Sequence, residues 1–260
     1  MYALYTDDSI LAGPRPKEID HSIYLLCEKK LDTTEEGTLE DFLGVNIDRR
    51  SDGRIHLTQP HLIASILKYL NLLRPGMNTR RTPMSSSHIL RRHATSHFFD
   101  KFFDYRSVVW RMNYLERGSR SGISYAVHRC ARFDSSPKQQ HGEAVKWLGR
   151  YLLATKDKWK IVRPQANTDL EAYVDADFAG NYDSNDKISR DTARSRHGYI
   201  IMYKGCPINW KSQLQHPLNP NIQDYPTHYV KSSHKCNFCK KWNYLVSQSQ
   251  AHHPWWSAKF

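Results

Sequence analysis

Two neighbouring aspartates, Asp7 and Asp8, are set between apolar residues in the run Tyr2-Ala3-Leu4-Tyr5-Thr6-Asp7-Asp8-Ser9-Ile10-Leu11. Adjacent carboxylates repel, so such a pair on a strand turn is costly unless a cation neutralises it. Magnesium favours carboxylate and phosphate oxygens. Two such ions can steady both the attacking and the leaving oxygen of a phosphoryl transfer. Taken alone, the pair reads more often as an ordinary Asp-rich turn. Cys236 and Cys239, with two residues between them and His234, His252 and His253 nearby, invite a zinc reading. Zinc fingers space their histidines so that both reach one metal, whereas His252 and His253 are adjacent. A chance cluster is therefore expected there, and zinc is not. Trp255-Trp256 is read in the same way, as accidental rather than a stacking platform.

Charge adds a second line. The chain carries a formal net charge of +12. Residues 74–163 account for all of it, with 19 Lys and Arg against 6 Asp and Glu, while residues 1–73 hold 8 against 12. A basic segment of this kind is the footprint of a polyphosphate partner, because each neutralised phosphate releases counterions. A solvated basic face that binds nothing in particular is the competing explanation. Hydrophobic content of 39% and charged content of 25% fit a globular chain. No apolar run approaches the roughly 18 residues of a membrane helix, so no membrane partner is expected. Five cysteines, odd in number and scattered, point to a reducing, intracellular setting rather than a disulfide framework.

The elements that must position these groups follow from pattern. Residues 2–13 read as two short strands hinged on Thr6-Asp7-Asp8, ended by Gly13-Pro14. Ile19, Ile23, Leu26 and Leu31 mark a helix over 15–31. Phe42, Leu43, Val45 and Ile47 form one arm of a hairpin and Ile55 and Leu57 the other, turning at Asp52-Gly53. Leu62, Ile63, Ile66, Leu67 and Leu70 predict a helix over 59–73. Residues 74–104 lose periodicity and read as a long connection. Helices are expected near 105–117, 121–133 and 137–154, the last with Ser136 as N-cap, Pro137 at its first position and Gln139 three residues after the cap. Strands are expected near 159–163 and 169–175, and a hairpin over 197–211 turning at Lys204-Gly205. Beyond 212 the pattern dissolves into Pro, Asn, His and Lys. The fold class expected is α+β.

In order along the chain, several segments resemble copia-type retrotransposon polyproteins. YTDD followed by SILAG is similar to the Tyr-x-Asp-Asp hairpin of their reverse transcriptases, and LEDFLGVNIDRR and IHLTQPHLIASIL to the palm beyond it. RRTPM resembles the family's linker motif. YRSVVWRMNYL, ISYAVHRCARF and KQQHGEAVKWLGRYLLATKD resemble the helical region before RNase H. YVDADFAGNYDSND and HGYIIMYKGCPINWKSQLQ resemble the opening strands of RNase H. The resemblance covers about residues 2–215, and the ordered set is stronger than any one piece.

It implies partial palm hairpins and a helical thumb or connection, then an incomplete RNase H-like sheet. The divisions expected are 1–73 (palm and thumb), 74–104 (linker), 105–158 (helical connection), 159–215 (RNase H-like) and 216–260 (a divergent, disordered tail). Asp7 and Asp8 match the family's magnesium-binding pair, and Asp175 matches the first catalytic aspartate of its RNase H. Template-primer or hybrid nucleic acid is the implied partner, with Arg80, Arg81, Arg106, Arg111, Arg129 and Arg132 the candidate contacts. The implied activities are RNA-directed DNA polymerisation and cleavage of RNA–DNA hybrids.

The carboxylate sets are nevertheless short. The family's third polymerase aspartate lies on a strand upstream of Tyr-x-Asp-Asp, and no glutamate occurs after Glu171 although Trp210-Lys211-Ser212 is present. Asp177, Asp183, Asp186 and Asp191 lie too near Asp175 in sequence to complete the set, and Asp224 is isolated. A truncated and inactive fragment is expected, with a non-catalytic basic nucleic-acid-binding protein as the alternative. Trp110 stands where the family has a small residue, and Ser119-Arg120-Ser121-Gly122 replaces a Thr-Arg-Pro-Asp-like turn. Both are expected to disturb helix packing, the bulky ring by about 1–3 kcal/mol if it is confined.

Overall fold

The structure is a computed structural model that describes residues 2–5, 8–29, 37–85, 90–91, 97–99, 102–165, 170–177 and 194–215. Five α-helices and nine strands in three antiparallel sheets make it a mixed α+β fold among these residues. Strands β1 (Tyr2–Tyr5) and β2 (Asp8–Leu11) form a hairpin in which Tyr5 faces Asp8. Helix α1 (Pro16–Glu28) starts on Pro16, whose fixed φ suits a first helical position, and an Arg15–Glu18 ion pair at 2.8 Å lies over its first turn.

The second sheet runs β3 (Asp41–Phe42), β4 (Val45–Arg49), β5 (Ile55–Thr58) and β6 (Lys160–Val162). The single arm expected over 42–47 is broken. Leu43 and Gly44 both take positive φ, 51° and 71°, which is the two-residue turn whose twist matches a hairpin. The Asp52-Gly53 turn forms as expected, with Gly53 at φ 80°. Ile55 to Leu57 pair with Lys160 to Val162, about a hundred residues later.

Helices α2 (Pro60–Tyr69), α3 (Tyr105–Gly118), α4 (Ser124–Ala131) and α5 (Gln139–Ala154) enclose the main core. Ile66, Val108, Met112, Leu115, Leu148 and Leu152 are fully buried in it. Helix α2 ends before the 73 expected, because Asn71 turns left-handed at φ 57°. Leu72 N–H then donates to the Leu67 carbonyl at 2.9 Å and Asn71 N–H to that of Lys68 at 3.0 Å, closing the helix end while Leu72 drops into the core. A 3-10 turn at Ser121–Ile123 precedes α4, so that helix is shorter than the 121–133 expected.

Helix α5 also begins later than expected. Pro137 accepts a hydrogen bond from Phe99 N–H at 3.4 Å, and Phe98 bridges Lys138, which holds 137–138 extended. The cap is His141 instead: its Nδ1 accepts Lys138 N–H at 2.9 Å, and Nε2 is left to donate to the Arg91 carbonyl at 2.9 Å. The expected connection over 74–104 carries no helix among its described residues, yet Leu90 and Phe99 are buried in the helical core. Gly142 and Gly149 let those elements close. A Cβ at Gly142 would lie 2.3 Å from Phe99 Cε2, and at Gly149 2.4 Å from Leu70 Cδ1.

The third sheet is the meander β7 (Leu170–Ala176), β8 (Arg196–Tyr203) and β9 (Cys206–Leu214). Its last turn is Lys204-Gly205, both at positive φ, in agreement with the pattern. Ile200 and Met202 form a small second core with Tyr173 and Trp210 packed against it. Among the described residues no helix is long and apolar enough to cross a membrane.

Candidate functional site

Of the acidic positions, Asp7 lies outside the described residues, as does the side chain of Asp8, whose backbone opens β2. Asp175 is half-buried on β7 opposite Gly198. Residues 171, 173, 175 and 177 alternate onto one face of that strand. Asp177 is committed to the sheet: its Oδ1 accepts Arg196 N–H at 2.5 Å, and its own N–H donates to the Arg196 carbonyl at 2.9 Å. Glu171 is exposed and accepts from the Tyr173 hydroxyl at 3.4 Å. Among the described residues no three His, Cys, Asp or Glu side chains gather closely enough to hold a metal ion. Asp183, Asp186, Asp191, Asp224 and the candidate zinc ligands His234, Cys236, Cys239, His252 and His253 lie outside the described residues.

The six arginines expected to meet nucleic acid do not share one surface. Arg81 and Arg106 are exposed. Arg80 lays its guanidinium 4.2 Å over the Trp147 ring, and Trp147 donates to the Thr82 carbonyl at 2.9 Å, which pins residues 80–82 to α5. Arg111 stacks 4.5 Å over Tyr69 and donates to Ser65 Oγ at 3.1 Å, tying α3 to α2. Arg132 is half-buried over Phe133. Arg129 is buried, only 3% exposed, and donates to the Tyr125 hydroxyl at 2.8 Å. That burial sets the candidate contact Arg129 apart from the exposed Arg81 and Arg106.

Two groups of buried polar side chains, unforeseen from the sequence, fix the helices against the Asp175 sheet. Arg196 of β8 donates to His128 Nδ1 at 3.0 Å and to Ser212 Oγ at 3.3 Å, with Tyr125 beneath it at 5.0 Å. Burial, then the Arg196 charge, pushes His128 down to about 3, so its ring is neutral and free to accept. Arg196 itself is lowered to about 10, first by burial. In the second group Glu116 of α3 accepts from Trp210 Nε1 at 2.6 Å, and Lys160 Nζ lies 4.3 Å over the Trp210 ring. Burial raises the Glu116 carboxyl and lowers Lys160 to about 8.

Arg120, in the turn expected to be disturbed, is buried to 1% exposure. It donates to the Thr155 carbonyl at 2.8 Å and to Thr155 Oγ1 at 2.5 Å, clasping the end of α5. Trp110 is 60% exposed, so the crowding expected of its ring does not arise. Helical phase could have shown this. Tyr105, Val108, Val109, Met112, Leu115 and Glu116 are buried, which turns Arg106, Trp110, Tyr114 and Arg117 to solvent.

Known proteins supply the remaining observation. Over 212 residues, 82% of this chain, the sequence is 31% identical to the retrovirus-related Pol polyprotein from transposon RE1 of Arabidopsis thaliana. Over 231 residues, 89% of this chain, it is 28% identical to a transposon Ty5-1 protein of Saccharomyces cerevisiae, covering 71% of that relative. The corresponding polyprotein from tobacco transposon TNT 1-94 is 28% identical over 82% of the chain. The chain is a homologue of the copia-type retrotransposon Pol polyproteins. It spans 14% of the length of the RE1 polyprotein and 16% of the TNT 1-94 polyprotein. No family model matches this polyprotein homologue, and no solved structure matches it significantly. The match covers most of the chain, as the family's motifs had implied.

Proposed function

We propose that the chain corresponds to the part of a copia-type polyprotein that runs from the reverse-transcriptase hairpin into the opening strands of RNase H. In this form it acts as a nucleic-acid-binding segment, and its residues lack the glutamate that the RNase H acid set would need after Trp210-Lys211-Ser212. One observation carries the reading: the meander β7-β8-β9 holds Asp175 of YVDAD at its half-buried face and follows directly on a basic helical region, in the family's order. The +13 excess of residues 74–163 supports a polyanionic partner. A shortage of acids supports the absence of turnover. Hybrid hydrolysis in this family uses an Asp, Glu, Asp, Asp set around two magnesium ions. The stretch after Trp210-Lys211-Ser212 holds no glutamate, and the Asp177 carboxylate is already engaged by Arg196 N–H.

The test uses the purified 260-residue chain with magnesium, on a primed RNA template and on an RNA–DNA hybrid, alongside titrations of labelled nucleic acid at several salt concentrations. Binding that weakens steeply with salt, with no extension or cleavage, is the expected result. Extension abolished by Asp7→Asn, or hybrid cleavage abolished by Asp175→Asn, would show a working enzyme and overturn the reading. Salt-independent or absent binding would remove the nucleic-acid half of it.

A further inference from the structure

The solvent side of α3 carries an arrangement that the proposed function does not use. Arg106, Trp110, Tyr114 and Arg117 succeed one another at steps of four, four and three residues, and all are exposed. At 3.6 residues per turn they fall within a sector of about 80°. Trp110 is 60% and Tyr114 47% exposed, large areas of aromatic surface to leave in water. Isolated apolar residues on a surface need no explanation, but adjacent rings bracketed by guanidinium groups form a patch. Tyr114 is also fixed in place: its hydroxyl donates to the Leu43 carbonyl in the β3–β4 turn at 2.6 Å, so its ring is held by a second element.

The charges select the occupant. Within α3 the one carboxylate, Glu116, is buried and turned inward to Trp210, so the outer stripe is cationic at both ends with no acid between. Spacing narrows it further. Trp110 and Tyr114 are about 6 Å apart along the axis, and the two arginines about 16 Å. The base step of a duplex strand is roughly 3.4 Å. Rings about 6 Å apart suit bases splayed from an unpaired strand, since every base offers a π-face to an aromatic side chain whatever its sequence.

We propose that this face of α3 is a stacking site for single-stranded nucleic acid, with Trp110 and Tyr114 taking two bases and Arg106 and Arg117 the flanking phosphates. The proposal deepens the nucleic-acid reading above and rests on it.

Anisotropy titrations of the full chain against a labelled oligothymidine and an abasic sugar–phosphate strand of equal length test it. The oligothymidine should bind at least about tenfold more tightly than the abasic strand, the difference that stacking supplies. Trp110→Ala should remove most of that difference and Trp110→Phe should keep it. Abasic binding should be the same in both variants, which also reports an intact fold. Arg106→Gln with Arg117→Gln should weaken both strands and lower the salt slope by about 1.4, near 0.7 for each phosphate that is no longer neutralised. Equal affinity of the wild type for the two strands, or a Trp110→Ala that binds oligothymidine as tightly as the wild type, overturns the stacking site and leaves the proposed function standing. Failure of the wild type to bind either strand removes both.

Discussion

Trp210 on β9 donates its indole N–H to the buried carboxylate of Glu116 on α3 at 2.6 Å, joining residues 94 positions apart. Lys160 caps the same ring from β6, so one indole ties a helix to two different sheets. Trp210→Phe keeps a ring for Lys160 but strips Glu116 of this donor, and a buried acceptor left short costs about 1–3 kcal/mol. Urea unfolding should show a loss in that range. Glu116→Gln, which keeps an acceptor oxygen, should lose less than Trp210→Phe. The reverse order would mean that the pair does not join the layers.

Arg120 should matter more than its charge suggests. It is clasped by the carbonyl and hydroxyl of Thr155 at the end of α5, and Arg120→Ala leaves both without their guanidinium partner. A loss of about 3 kcal/mol is expected in chemical denaturation. Arg120→Lys should recover less than half of it, because an ammonium cannot reproduce the planar fork. Full recovery by lysine would reduce the clasp to a point charge.

Gly149 faces two opposed effects of known size. Alanine gains about 1 kcal/mol of helix propensity over glycine in a helix interior. The new methyl, however, would lie 2.4 Å from Leu70 Cδ1 and 2.7 Å from Leu72 Cδ1, and overpacking costs about 1–3 kcal/mol. Gly149→Ala should therefore destabilise, lowering the melting temperature. A stabilised variant would mean that α2 and α5 have room to separate.

Acid should loosen the helical core well before the carboxylates titrate. Burial holds His128 down at about 3 and His141 at about 4, both below the ordinary 6.5. The unfolded chain therefore takes protons that the folded chain refuses. Stability is complete above about pH 6.5 and falls as pH drops toward 4, by about 1.4 kcal/mol per unit for each histidine. Glu116, raised by burial, acts in the opposite direction over the lower end of this range. Melting temperature measured from pH 7 to 4 should decline. His128→Gln, which keeps an acceptor for Arg196 but cannot titrate, should flatten the slope by about one proton. A flat profile between pH 6.5 and 5 would contradict the buried neutral rings.

Much of the architecture could be read from local chemistry. The Asp52-Gly53 and Lys204-Gly205 turns, the period of α2 and the stripe of α3 all depend on residues a few positions apart. The errors have long-range causes. Helix α5 starts late because residues 97–99 bridge Pro137 and Lys138, which no local pattern encodes. Arg129 looks like a surface charge until Tyr125 and the packed helices enclose it. Trp110 looks crowded by comparison with a family, whereas the phase of its own helix puts it in solvent. The carboxylates are legible as residue types only. Whether acids converge on one point is a tertiary matter, and Asp177 shows how a backbone N–H can claim one first.

The pairing of Ile55 to Leu57 with Lys160 to Val162 has a consequence for how the polypeptide is born. At synthesis rates of about 5–20 residues per second, β5 leaves the ribosome roughly 5–20 s before its neighbour exists. For that interval it offers a row of unclaimed amides and carbonyls to any passing strand. Slowing elongation between the two would lengthen that exposure, whereas early assembly of the four helices would shorten it by drawing the late strand home.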